Sequence, residues 1–161
     1  MNENLTNADE QCKLGDKYYF GEGVPKDLGK SVYWYSKAAE QGHVEAQFNL
    51  ADSYYFGKGV PRDLEKAGYW YSKAAEQGHM LSQRNLGNYY KRGDCGPIDL
   101  KKAAYWYAKA AEQGDSMSQF NLGVYYKNGN PFPRDLAKAK YWFTKAAENG
   151  DADAKNELYK L

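Results

Sequence analysis

The sequence predicts an all-α solenoid, four helix pairs in series followed by one capping helix, and it does so through a period and a pattern within that period. The four tryptophans, Trp34, Trp70, Trp106 and Trp142, lie 36 residues apart. The same letters return around each. Asp27, Asp63, Asp99 and Asp135 precede them, and Ala38-Ala39-Glu40, Ala74-Ala75-Glu76, Ala110-Ala111-Glu112 and Ala146-Ala147-Glu148 follow. A fixed period between about 20 and 50 residues marks an array whose units bury their apolar faces only against neighbours. Within one period, apolar residues recur at helical rather than strand spacing.

The second repeat is the most regular and serves as the template. Between Glu45 and Phe56, residues Ala46, Leu50, Ala51 and Tyr54 trace one face of a first helix, here called helix A. Leu14-Gly15, Leu50-Ala51, Leu86-Gly87 and Leu122-Gly123 hold the same register. The small second residue predicts close approach of a neighbouring helix, which accounts for a glycine inside a helix despite its cost of about 1 kcal/mol. Gly21, Gly57, Gly93 and Gly129 should end each helix A, because glycine takes the left-handed conformation without a Cβ clash. A turn follows, Gly-Val-Pro-Lys/Arg-Asp in the first two repeats, whose aspartate is placed to cap the next helix. Helix B runs from Leu64 through Ala67, Trp70, Tyr71, Ala74 and Ala75 to a stop at Gly78. Residues 151–161 read as one further helix A, with Leu158 in the Leu50 register, acting as a cap. The chain is thus expected to form a single domain over 1–161, with repeats at about 8–42, 43–78, 79–114 and 115–150.

Leu-Gly-x-x-Tyr, Gly-x-Gly-Val-Pro-x-Asp and Lys-Ala-x-x-Trp-Tyr-x-Lys-Ala-Ala-Glu-x-Gly resemble the Sel-one-like repeat (SLR) family, relatives of the tetratricopeptide repeats. Repeat one carries Ser31 at the first alanine of the last pattern. The resemblance covers roughly residues 8–161. It implies a right-handed superhelix of antiparallel helix pairs that acts mainly as an adaptor or scaffold for other proteins. Some secreted members carry a disulfide in each repeat; here Cys12 and Cys95 fall at different repeat positions, and both read as free thiols.

Charge and composition point the same way. With 22 basic and 21 acidic residues the chain has a net charge of +1 and neither a basic tail nor an acidic block, so nucleic acid is not an expected partner. No stretch approaches the roughly 18 apolar residues of a membrane span, and the first ten residues have no apolar signal core, so a cytoplasmic monomer is expected.

Chemical motifs are sparse. Gly29-Lys30-Ser31 imitates the end of a phosphate-binding loop, but the required glycine five residues earlier is Val24. His43 and His79 stand where Asp115 and Asp151 stand in later repeats, which suits helix entry better than a metal site. No Gly-x-Ser-x-Gly or Ser-x-x-Lys occurs, although some SLR relatives are described as penicillin-binding or β-lactamase-like. No catalytic residue, cofactor or metal is assigned.

The residues that vary between repeats carry the functional expectation. With Leu50 turned inward, the opposite side of helix A presents Asp16 and Tyr19, then Glu45, Phe48, Asp52, Tyr55 and Phe56, then Arg84, Asn88, Lys91 and Arg92, then Phe120, Val124 and Lys127. By analogy with tetratricopeptide arrays this is the concave face, with acids early and bases late. It is expected to hold a protein or peptide, in an adaptor or in an inhibitor or immunity protein that covers one enzyme or toxin. Phe48, Phe56 and Phe120 are its apolar anchors. The recurring tyrosines Tyr33, Tyr69, Tyr105 and Tyr141 form an outer row.

Overall fold

In a computed structural model, residues 5–161 are described, and among them helices are the only regular elements. In chain order these are α1 (Ala8–Phe20), α2 (Leu28–Glu40), α3 (Val44–Phe56), α4 (Leu64–Glu76), α5 (Met80–Arg92), α6 (Leu100–Glu112), α7 (Ser116–Asn128), α8 (Leu136–Glu148) and α9 (Ala152–Leu158). Helices A are odd-numbered and helices B even-numbered. They gather into two compact units, one with α1–α4 that ends at residue 79 and one with α5–α9 over residues 80–161.

Local chemistry sets the boundaries. Gly21, Gly57 and Gly129 take φ of 81°, 69° and 74° at the ends of α1, α3 and α7, the left-handed geometry that a Cβ would oppose. Asp27, Asp63, Asp99 and Asp135 each accept the backbone N–H three residues on, at 2.9–3.0 Å. That hydrogen bond holds the Asp63 and Asp99 carboxyls below the usual aspartate range. At the entry to α3, His43 does the same work with a ring nitrogen: Nδ1 accepts from the Ala46 N–H at 3.1 Å. Asp115 and Asp151 cap α7 and α9 from the equivalent position.

The centre of each repeat is not its tryptophan. Trp34 is buried, but Trp70, Trp106 and Trp142 are only half-buried. The fully enclosed rings belong to the next residue, Tyr71, Tyr107 and Phe143, with Tyr35 nearly so. These rings explain the small residues of helix A. A Cβ added to Gly15, Gly87 or Gly123 would lie 2.6 Å from ring carbons of Tyr35, Tyr107 or Phe143, so the ring of helix B lies directly on the glycine of helix A.

A buried polar ladder runs beside the rings. Gln11, Gln47, Gln83 and Gln119 are all buried on helices A. Each accepts an amide hydrogen bond, at 2.7–3.0 Å, from Gln41, Gln77, Gln113 or Asn149 respectively, thirty residues later at the end of a helix B. Gln47 and Gln119 also donate to the Ala39 and Ala111 carbonyls, so these amides are tied to the preceding helix end as well. The amide pairs tie the two ends of each repeat together, and the bonds to Ala39 and Ala111 carry the link to the preceding repeat, with a direction that an apolar contact lacks.

The last helix closes the second unit. Ala154 is fully buried with Ala139, Phe143 and Ala146, Leu158 packs on the same cluster, and Glu157 accepts from Lys127 at 2.6 Å. Deleting residues 151–161 uncovers that cluster. The expected result is a fall of about 5–10 °C in melting temperature. A mass that rises with concentration in light scattering should accompany it. A monomeric truncation that melts with the parent would show that α9 covers nothing of consequence.

Candidate partner-binding face

The variable residues of helix A separate into those turned to solvent and those the chain uses itself. In the first unit, Asp16 of α1 accepts the Tyr35 hydroxyl at 2.7 Å, and Asp52 of α3 accepts that of Tyr71. Burial first, and then the Asp16 carboxylate, holds the Tyr35 hydroxyl protonated far above its usual range. Glu45 lies 3.3 Å from His79 Nε2, and Asp9 lies 3.0 Å from His43 Nε2. Phe48 is half-buried, its ring 4.8 Å from that of His79 and 6.3 Å from that of Tyr71. Phe48 is therefore less available than its wheel position suggests.

Phe20 and Phe56 do stand in water, 63% and 58% exposed. Each meets the preceding tyrosine edge-on, Tyr19 at 4.9 Å and Tyr55 at 5.0 Å between ring centres. Between α1 and α3 lies a cleft of about 220 Å³ walled by Tyr19, Phe20, Tyr35 and Asn49, with Asp16 and Asp52 as its acids and Lys58 of the following turn at its edge. The same face encloses Cys12, whose thiol is pushed up to about 12 by burial and then by the negative charges of Asp16, Glu45 and Asp9. The potential here is negative.

The second unit treats the same register differently. Asn88 accepts the Tyr107 hydroxyl at 2.7 Å, in place of an aspartate. Val124 and Phe120 pack on the cluster that contains Phe143, with the Phe120 and Phe143 rings 5.5 Å apart. Arg84 pairs with the buried Asp115 at 3.1 Å, Lys91 donates to Asn121 at 2.8 Å, Arg92 pairs with Asp94 at 3.2 Å, and Lys127 pairs with Glu157 at 2.6 Å. Every base expected to greet an acidic ligand thus has an acceptor in its own chain. Burial, and then Arg92, pulls the Lys91 ammonium below its ordinary range.

The outer row is exposed throughout: Tyr33, Tyr69, Tyr105 and Tyr141 each set their ring edge-on to the neighbouring tryptophan at 5.0–5.2 Å. Cys12 and Cys95 are free thiols. Among the described residues, no helix is long and apolar enough to cross a membrane, and no three His, Cys, Asp or Glu side chains gather as a metal site would need. Two features escaped sequence reading, the glutamine ladder and the tyrosine–aspartate pairs. Both left a trace: glutamines at a strict 36-residue period, and an acceptor that always stands 19 residues before its tyrosine.

Comparison with known proteins agrees with this architecture. The family profile described as "Sel1 repeat" matches residues 11–43, 44–79, 81–115 and 116–151. The crystal structure of c5321, a protective antigen of uropathogenic Escherichia coli strains displaying an SLR fold, is 38% identical with a TM-score of 0.87, over 94% of this chain and 33% of that one. A Sel1 repeat protein from Oxalobacter formigenes is 34% identical with a TM-score of 0.87, over 99% of this chain and 65% of that one. Cysteine rich protein B of Helicobacter pylori is 30% identical with a TM-score of 0.64, over 86% and 99%. The chain therefore spans a third and about two thirds of the length of the first two. No curated protein matches it.

Proposed function

Because the chain belongs to the Sel1 repeat family, we propose that it is a non-catalytic module that binds a partner protein or peptide on the outward side of its helices A. The observation that carries this reading is the pair Phe20 and Phe56, large rings left in water at equivalent places on α1 and α3 and backed by Tyr19 and Tyr55. A folded protein gains nothing by hydrating two phenylalanines, whereas a partner that covers them recovers the area and finds rigid aromatic anchors already in place.

The test is direct. A partner captured from source lysate should bind the Phe20→Ala, Phe56→Ala double variant about tenfold more weakly or worse, mainly through faster dissociation. It should bind Tyr69→Ala as it binds the parent. Loss of binding on Tyr69→Ala with the double variant unaffected would move the interface to the outer tyrosine row.

A further inference from the structure

The three later helix-A positions that equal Tyr19 hold Tyr55, Lys91 and Lys127, and these residues show what the space beyond the end of a helix A receives. Lys91 places its ammonium on Asn121 of the next helix A, and Lys127 places its ammonium on Glu157, both thirty residues along. In the first unit the residue that corresponds to Lys91 is Tyr19, and the residue that corresponds to Asn121 is Asn49. An ammonium is found here too, but from elsewhere: Lys58, in the turn after α3, donates to the Tyr19 hydroxyl at 2.9 Å and stands 5.6 Å from the Tyr19 ring and 5.3 Å from that of Phe56. Among the described residues Lys58 has no carboxylate within ion-pair reach, and it is exposed. It is a loosely held cation at the mouth of a cleft that already contains two carboxylates and three aromatic walls.

We propose that this cleft of the first unit is the seat for an arginine or lysine side chain of the partner polypeptide, which enters between α1 and α3 and displaces Lys58. It rests on the reading of this face as a docking surface. The chemistry is matched on both counts a basic side chain needs. The Asp16 carboxylate meets the charged head, and its use as acceptor for Tyr35 takes only one of its roughly four lone-pair sites. Tyr19 and Phe20 flank the apolar stem and the face of the cation, an arrangement that favours guanidinium over ammonium because the planar group stacks as well as pairs. The carboxylates of Asp16, Glu45 and Asp9, which after burial raise the Cys12 thiol, act across the same face. In the second unit the equivalent positions are Asn88 and Val124, so the acids are gone and the native lysine is already in place.

The molecule supplies its own conservative variant. Asn88 accepts the Tyr107 hydroxyl as Asp16 accepts that of Tyr35, so Asp16→Asn should keep the hydrogen bond and remove only the charge. The probe is the tripeptide Ac-Gly-Arg-Gly-NH2, compared with its neutral citrulline isostere, and the readout is backbone amide shifts in the folded protein. The arginine peptide should move resonances around Asp16, Tyr19 and Asn49 and bind about tenfold tighter than the citrulline peptide. Asp16→Asn should lose most of that preference at unchanged helix content, and Lys58→Met should strengthen arginine binding about threefold by removing the internal competitor. Equal binding of the two peptides, shifts that lie elsewhere, or indifference to both substitutions would overturn the seat. A captured partner that depends on Phe20 and Phe56 while the peptides bind equally would sink the cation seat and leave the docking surface standing. Arginine selectivity beside a partner indifferent to those phenylalanines would do the reverse.

Discussion

Replacing Tyr71 by alanine should cost about 4 kcal/mol of folding stability, and Tyr107→Ala as much, whereas Trp70→Ala should cost about half of that. The reason for the ranking is enclosure. Tyr71 and Tyr107 are 2% and 0% exposed, and the Tyr107 ring fills the space that Gly87 leaves open, with Ala51 in the same register of the second repeat. Truncation leaves a cavity between two helices that backbone on both sides prevents from closing, and the cost of a buried ring is its transfer energy plus that cavity. Trp70 is half-buried and spends part of its surface on the exposed Tyr69, 5.0 Å away, so alanine there opens onto solvent. Tyr107→Phe separates ring from hydroxyl: it should cost about 1 kcal/mol, the net worth of the bond to Asn88. Urea midpoints by circular dichroism for the four variants would decide the matter. Equal midpoints for Trp70→Ala and Tyr71→Ala would return the tryptophan to the centre.

The sequence makes the tryptophans conspicuous rather than the enclosed rings beside them, and the reason is a matter of signal. A tryptophan that recurs four times and nowhere else dominates any inspection, yet large rings with one polar edge are seldom wholly enclosed. Tyr35, Tyr71, Tyr107 and Phe143 keep the same period one residue later, but a chain with 16 tyrosines hides them. Helix boundaries were legible because they are local: Asp27 and Asp63 cap within three residues, and Gly57 closes α3 through its own φ. The candidate face was legible only as a direction. A helical wheel tells which side of α3 Asp52 and Phe48 occupy, but not that Tyr71 reaches Asp52 and that His79 shields Phe48, because Tyr71 lies on α4 and His79 just before α5, 19 and 31 residues on. The same holds for Arg84, whose acceptor Asp115 belongs to the next repeat. Phe20 and Phe56, at the last positions of α1 and α3, stay largely exposed, and Phe56 keeps the exposure that the wheel assigns to it.

The coupling between helix A and helix B yields the second large effect. Three repeats pair an acceptor with a tyrosine 19 residues later, Asp16 with Tyr35, Asp52 with Tyr71 and Asn88 with Tyr107. The fourth changes both members together, to Val124 and Phe143, and keeps the packing without the bond. Each pairing is self-consistent, and mixing them should not be. Val124→Asp alone sets a carboxylate against the Phe143 ring and the alanines of α8 and α9, where no hydroxyl meets it; the expected cost is about 3 kcal/mol, the penalty for a desolvated acceptor that carries charge. Phe143→Tyr alone sets a hydroxyl beside the Val124 methyls and should cost about 1–2 kcal/mol. Made together, the two changes rebuild the Asp52–Tyr71 pair of the second repeat at the fourth, and the double variant should recover about 2 kcal/mol relative to the sum of the singles. Denaturant unfolding of the parent, both singles and the double completes the cycle. Strict additivity would mean that the acceptor and the hydroxyl do not meet in the fourth repeat, and that the bond is a by-product of packing elsewhere rather than a device that sets how helix B lies on helix A.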